Sequence, residues 1–294
     1  MSAVQFMVGA DPEVFVSKNG KPIAVCETGL PGTKSAPYKT DAGAVQQDGF
    51  AAEFNIDPTR IQDFDGFNAN IVKTISDLRA LMPGANLSIT PVQEFDPAYM
   101  AAQPDETKEL GCDPDYNAYT LEPNPRPDGD RNFRTGAGHV HIGWGADIPT
   151  DNPEHMEICA GFIKMCDATI GMYMTFIDRD PRRRELYGCA GAFRPKPYGV
   201  EYRTPSNLWI KNKNRRFMMH YMINKAVNYQ SSGYSVEKIT GYPEDAIRDI
   251  INRGDYSTAR GIAEKVMGGY GYQAAWQNIL KEMTPAVKTE DVPF

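Results

Sequence analysis

Apolar and polar positions recur along this chain at every second residue in some stretches and at every third or fourth in others. Period two governs Gly9-Ala10-Asp11-Pro12-Glu13-Val14-Phe15-Val16, Ala52-Glu53-Phe54-Asn55, Gly138-His139-Val140-His141-Ile142-Gly143 and Gly199-Val200-Glu201-Tyr202-Arg203-Thr204-Pro205. Each run sets charged or imidazole side chains among β-formers, so Asp11 and Glu13 share one sheet face, as do His139 and His141, and Glu201 and Arg203. Residues 4–8 and 14–16 read as one strand interrupted at Asp11-Pro12, followed by the turn Lys18-Asn19-Gly20-Lys21 and a short strand over 22–25. Residues 44–56 read as a strand pair broken at Asp48-Gly49, and 87–92 as a further strand.

The helical period begins at Pro58, where Ile61, Phe64, Phe67, Ile71, Ile75 and Leu78 recur at three or four until Met82-Pro83-Gly84. Helices are also predicted over 153–178 and 212–229, with two or three shorter ones over 243–283. Residues 103–135 form a long loop rich in Pro, Asp, Gly and Asn, and such loops are commonly functional. The pattern predicts a mixed α+β protein. The main domain is expected over 1–233, with a helical appendage over 234–294.

Composition changes this picture little: 294 residues, 41% hydrophobic and 23% charged, are ordinary for a folded protein with a sizeable core. A formal charge of -7 argues against general nucleic-acid binding. No signal peptide is visible, and the most apolar stretch (156–177) carries Glu157, Lys164 and Asp167, so it reads as a buried helix and not a membrane span. Five cysteines without a CxxC pair suit a reducing, cytoplasmic setting.

The chemistry lies in the period-two runs. Paired carboxylates at two-residue spacing suit hard cations such as Mg²⁺, although for Asp11 and Glu13 taken alone a solvent-exposed strand face is the better reading. A Glu flanked by Ala51, Ala52, Phe54 and Ile56 is costly to bury unless it is paired or ligating. Two of the four histidines fall in one glycine-flanked strand, where close approach of backbone or ligand is expected. Arg182-Arg183-Arg184 and Arg194-Pro195-Lys196 precede Glu201 and Arg203, a density of cations suited to phosphate, while a solvated surface run is the plainer reading of the triple arginine. Gly29-Leu30-Pro31-Gly32-Thr33-Lys34-Ser35 is not a P-loop, because its glycine spacing fails.

Taken in order, these four runs resemble the glutamine-synthetase-like carboxylate–amine ligases, and most closely the phage-encoded type 2 amidoligases, over about residues 8–210. The resemblance implies a glutamine-synthetase-like catalytic fold, an α+β architecture with a curved antiparallel sheet and helices on its outer face, together with a bacteriophage source and residence in the host cytoplasm. It implies that ATP and Mg²⁺ (or Mn²⁺) join a carboxylate to an amine through an acyl phosphate. Asp11, Glu13, Asp48, Glu53, His139, His141 and Glu201 would then hold metal. Arg203, Arg183 or Arg184, and Glu53 would take catalytic roles, with Arg194, Lys34, Asn55 and Arg134 on the nucleotide. The substrates would be small-molecule or peptide carboxylates and amines, with no membrane partner, and a homo-oligomer stays open. Where relatives place another Glu in the second acidic strand, this chain offers Gln46, Gln47 or Asp48. Strand alternation puts Asp48 on the face opposite Glu53 unless Gly49 marks a bulge. Two rival readings stand beside the ligase: a metal-dependent hydrolase using His139, His141 and a carboxylate around zinc, and a degenerate phage protein that binds nucleotide without turnover.

Overall fold

A computed structural model describes residues 5–108, 115–125, 131–145 and 147–284. The predicted appendage's last residues, 285–294, and parts of the long loop, 109–114 and 126–130, lie outside the described residues. The strands are β1 (Met7–Lys18), β2 (Lys21–Ile23), β3 (Tyr38–Thr40), β4 (Gly43–Asp48), β5 (Ala51–Ile56), β6 (Thr59–Arg60) and β7 (Asn86–Ser88). They continue as β8 (Val92–Glu94), β9 (Tyr116–Asn117), β10 (Phe133–Thr135), β11 (Gly138–Gly143), β12 (Ala192–Lys196) and β13 (Gly199–Tyr202). The main sheet is antiparallel throughout and runs β3-β4-β5-β1-β11-β13-β12-β9, with β2, β6 and β7 also pairing with β1; β8 and β10 form a separate ribbon.

β1 organises the molecule. It is continuous through Asp11-Pro12, contrary to the predicted break, because it changes partners there. Residues 7–12 pair with β11, and Glu13 and Val14 pair with β5. A proline without an N–H is tolerated where the ladder switches sides. One face of β1 (Val8, Ala10, Val14, Val16) joins Phe54, Val140, Ile142 and Val200 in the main core. Helix Phe64–Leu81 covers that face with Phe67, Ile71 and Leu78, and helix Pro153–Cys166 with Cys159 and Ile163. Burying each such large apolar side chain contributes about 1.5–3 kcal/mol. The opposite face carries Asp11, Glu13, His139, His141 and Glu201, so the same alternation that makes the core delivers the polar band.

Helix Phe64–Leu81 starts later than Pro58, because Thr59 and Arg60 pair with β1 and Asp63 then caps the helix, accepting from the Gly66 N–H at 2.8 Å. The expected strand over 87–92 is two short strands, β7 and β8. The long helix after Pro153 contains a π-helical turn, Asp167–Gly171, before resuming over Met172–Ile177. Helices Glu244–Arg253, Tyr256–Met267 and Gln273–Met283 pack into the same core through Ile247, Ile262 and Ile279. No described helix is long and apolar enough to cross a membrane.

Candidate active site

Antiparallel partners point to the same side of a sheet, and the register therefore assembles the polar band. Gln46 lies opposite Glu53, Glu53 opposite Glu13, Asp11 opposite His139, and His141 opposite Glu201, which in turn faces Arg194. A cavity of about 750 Å³ opens over the band. Asp11, Glu13, Asp48 and Glu53 form one side of its lining, and Arg183, Arg194, Lys196 and Arg203 the other; Lys34, Arg134 and His139 complete the set.

Asp48 corrects the expectation from simple alternation. The chain reverses at Gly49-Phe50, where Gly49 adopts a φ of 55°, so alternation does not run on from β4 into β5. Asp48 is two residues from Gln46 on one strand and therefore shares the face of Gln46 and its partner Glu53. The Gln46 amide donates to Glu53 Oε2 at 2.8 Å, and Lys34 Nζ lies 2.6 Å from Asp48 Oδ1. The Ala137 N–H donates to Glu13 Oε2 at 2.9 Å. Burial, with the Asp48 charge behind it, pushes the Glu13 carboxyl up to about 7. Burial and the charges of Asp11, Asp48 and Glu13 likewise raise Glu53 well above the carboxylate range. Carboxylates crowded and desolvated in this way favour a bound cation.

The middle of the band is arranged to ligate. Among the described residues, Asp11, His141 and Glu201 are the group whose donor atoms all lie within 4.8 Å of one another. His141 Nε2 stands 3.1 Å from Asp11 Oδ2, while its Nδ1 meets the Tyr198 hydroxyl at 2.7 Å, which fixes the ring. Asp11 Oδ1 is buried without a hydrogen-bond partner. An orphaned carboxylate oxygen beside an imidazole and a second carboxylate is a donor set that fits Mg²⁺ or Mn²⁺. His139 Nδ1 lies 3.7 Å from Asp11 Oδ1 and 3.5 Å from Glu201 Oε1. Burial and the Arg203 charge hold its pKa well below the usual imidazole value, so it is neutral. For His141, burial pulls downward but Asp11 outweighs it, and the net direction is up.

Glu201, 1% exposed, is the hub of the basic side. Arg203 Nη1 donates to its Oε1, and Lys196 Nζ and Arg194 Nη1 lie 2.8 and 3.4 Å from its Oε2. Burial works to raise its pKa, yet Arg203 and the two histidines hold it well below the usual range. Arg203 Nε also donates to Asp115 at 3.1 Å. Arg183 is fixed by the Thr204 and Arg203 carbonyls at 2.5 and 3.3 Å, and burial lowers its pKa to about 10.

Four expected residues stay outside the cavity lining: His141 and Glu201, which keep their places in the trio with Asp11, and Arg184 and Asn55, which join no such group. Successive helical residues point about 100° apart, and Arg184, next to Arg183, turns back to the Asp178 and Asp180 carbonyls at 2.5 and 3.1 Å. Asn55 sits opposite Ala44, beyond the point where β5 leaves β1. The remaining histidines are elsewhere: His155 bonds the Lys196 carbonyl at 2.8 Å, and His220 packs on Phe64 and Phe67. Among the described residues no third histidine reaches His139 and His141. Asp115 and Tyr198 were not legible as site residues. Lys196 was legible only as charge density, although its two-residue spacing from Arg194 is the signal that places both on Glu201.

With this geometry in view, residues 131–239 match the family model of the phage phiEco32-like COOH-NH2 ligases, type 2. Over this stretch the chain is similar to that family. The match supports a carboxylate–amine ligase, and so an enzyme, in general terms. No curated protein matches the chain. The stretch matched to the COOH-NH2 ligases contains His139, His141, Arg183, Arg194, Glu201 and Arg203, and the acidic side of the cavity precedes it.

Proposed function

We propose that this protein is a carboxylate–amine ligase that uses ATP with Mg²⁺ or Mn²⁺ to join a small-molecule or peptide carboxylate to an amine through an acyl phosphate. The observation that carries this reading is the division of one cavity into a carboxylate side on β1, β4 and β5 and a basic side on β12, on Arg203 just past β13 and on the helix Arg182–Leu186.

Asp11, His141 and Glu201, with His139, Glu13 and Glu53 alongside, are the residues that would hold metal. Bound Mg²⁺ or Mn²⁺ supplies neutralisation of the phosphate oxygens. The chain's own contribution is positional. Arg203 and Arg183 are buried, and their backbone and carboxylate partners hold them in advance, so they need no reorganisation when a phosphoryl group gains charge. Lys196 and Arg194 extend that field towards the cavity mouth. A substrate carboxylate oxygen attacks the γ-phosphorus and ADP leaves. The amine nitrogen then attacks the acyl carbon, phosphate departs, and the amine proton is lost to give the amide.

The test is calorimetric titration of ATP with and without Mg²⁺, on wild type and on Glu53→Gln, followed by ADP release with paired amines and carboxylates. Metal-dependent ATP binding that Glu53→Gln weakens at least about tenfold, equivalent to about 1.4 kcal/mol, is the expected result. Absence of ATP binding with any metal overturns the reading.

A further inference from the structure

Beside Glu53 and Asp48, where further acidic groups or metal would be expected, stand an amide and an ammonium. Lys34 is delivered by a pinned segment. Thr33 and Ala36 exchange backbone hydrogen bonds at 3.1 Å each, the Gln47 N–H donates to the Gly32 carbonyl at 3.1 Å, and the Gln47 amide donates to the Leu30 carbonyl at 2.6 Å. Gly32 has a φ of +92°, and a Cβ there would fall 2.4 Å from the Val45 carbonyl oxygen, so the segment lies directly against β4. Burial works against the Lys34 charge, but Asp48, Glu53 and Glu13 together hold its pKa above the ordinary lysine value.

The two parts of the polar band differ in readiness. Asp11, His141 and Glu201 bring three donor atoms within 4.8 Å and leave Asp11 Oδ1 unpartnered. Among the described residues Glu13, Asp48 and Glu53 form no comparable trio; Gln46 bonds Glu53 and Lys34 pairs with Asp48. One part offers a place for a mobile cation, and the other already holds a tethered one.

Resting on the ligase reading above, we propose that the Lys34 ammonium is a built-in cation of the site. It holds, through its 2.6 Å ion pair with Asp48, the position beside Asp48 and Glu53 that a divalent ion would otherwise take. This part of the cavity then needs one metal ion fewer. A single positive charge on a fixed loop offsets the crowded carboxylates without depending on metal concentration, and its remaining N–H donors can reach a phosphate oxygen.

Calorimetry and electron paramagnetic resonance of Mn²⁺ alone, titrated into the full chain, test this on four proteins: wild type, Lys34→Gln, Lys34→Arg, and Lys34→Gln combined with Asp48→Asn. Lys34 is half-exposed, so the neutral variant retains the fold, which circular dichroism verifies. Lys34→Gln is expected to bind one Mn²⁺ ion more per chain than wild type. Lys34→Arg is expected to match wild type, and the double variant to lose the added ion again. An unchanged stoichiometry in Lys34→Gln overturns the proposal, as does an added ion that survives Asp48→Asn. The ligase reading is judged separately. If wild type binds neither ATP nor Mn²⁺ while Lys34→Gln gains an ion, the built-in cation stands and the ligase fails.

Discussion

Gly138 owes its identity to crowding. A Cβ there would fall 2.3 Å from the Ser206 carbonyl oxygen and 2.5 Å from Trp209 Nε1, which donates to the Gly138 carbonyl at 3.0 Å. Gly136 is confined in the same way by Asn207 and Thr90. The glycines around the HxH strand thus admit the backbone and side chains of 206–209, where the sequence left ligand and backbone equally open. Gly143 contrasts with them, since its nearest neighbour would be Tyr198 at an ordinary 3.5 Å. Gly138→Ala should therefore lower stability by about 1–3 kcal/mol through overpacking, whereas Gly143→Ala should stay within about 0.5 kcal/mol of wild type. Urea titrations of the two variants check this, and equal effects would contradict it. The same scale separates two carboxylates. Glu201→Gln removes the charge of the buried carboxylate that Arg203, Lys196 and Arg194 share and should cost about 3–5 kcal/mol. Glu53→Gln instead removes a carboxylate whose charge is already disfavoured by burial and by three neighbouring acids, and it should leave the melting temperature unchanged or higher. Loss of ATP binding in Glu53→Gln is then a loss of chemistry and not of fold.

At the scale of elements, what was legible depended on whether the pattern carried its own boundary. The runs through Asp11, Glu53, His139 and Glu201 all became strands with their polar residues on one face, because period two is fixed by the pleat whatever the neighbours are. Pairing was not legible. Pro12 read as a break because a sequence does not show that β1 exchanges β11 for β5 there. Asp48 read as facing away because alternation was carried through a reversal. Helix Phe64–Leu81 shows the same limit at its start: Pro58 is a sound helix opener in isolation, but pairing of Thr59 with Val8 claims the chain first. The cap then falls to Asp63, and that assigns it a measurable share of stability. Asp63→Ala should cost about 0.5–2 kcal/mol, and Asp63→Ser only a fraction of that, since serine can still accept from the Gly66 N–H. Thermal melts of the two variants decide the point. Equal losses would mean that the cap is not what begins the helix.

Across the whole molecule, the sheet and the helical layer are joined through a buried carboxyl. Asp167, wholly buried on the π-helical turn, accepts from the Tyr202 hydroxyl at 2.6 Å and from the Tyr119 hydroxyl at 3.0 Å. Tyr202 lies on β13 between Glu201 and Arg203, so this contact anchors the strand from behind while its other face lines the site. Burial raises the Asp167 pKa from 3.8 to about 7, against the pull of the two phenols. The folded protein therefore keeps this proton to about pH 7, whereas the unfolded chain releases it near pH 4. Folding takes up a proton in that window, and raising the pH works against the fold. The stability tied to this group is complete below pH 4 and is lost as pH climbs to about 7, a change of roughly 4 kcal/mol at 1.36 kcal/mol per pKa unit. Glu13, Glu53 and Asp178 are shifted in the same direction, so the wild-type trend contains them as well. Asp167→Asn isolates one of them, because an amide keeps an acceptor for a phenol and carries no charge at any pH. Denaturant titrations at pH 5 and pH 8 should show wild type losing more stability between the two than Asp167→Asn does, with the variant the more stable at pH 8. Parallel losses in both proteins would mean that Asp167 stays ionised in the fold, and that the Tyr119 and Tyr202 hydroxyls hold a buried charge between the two layers.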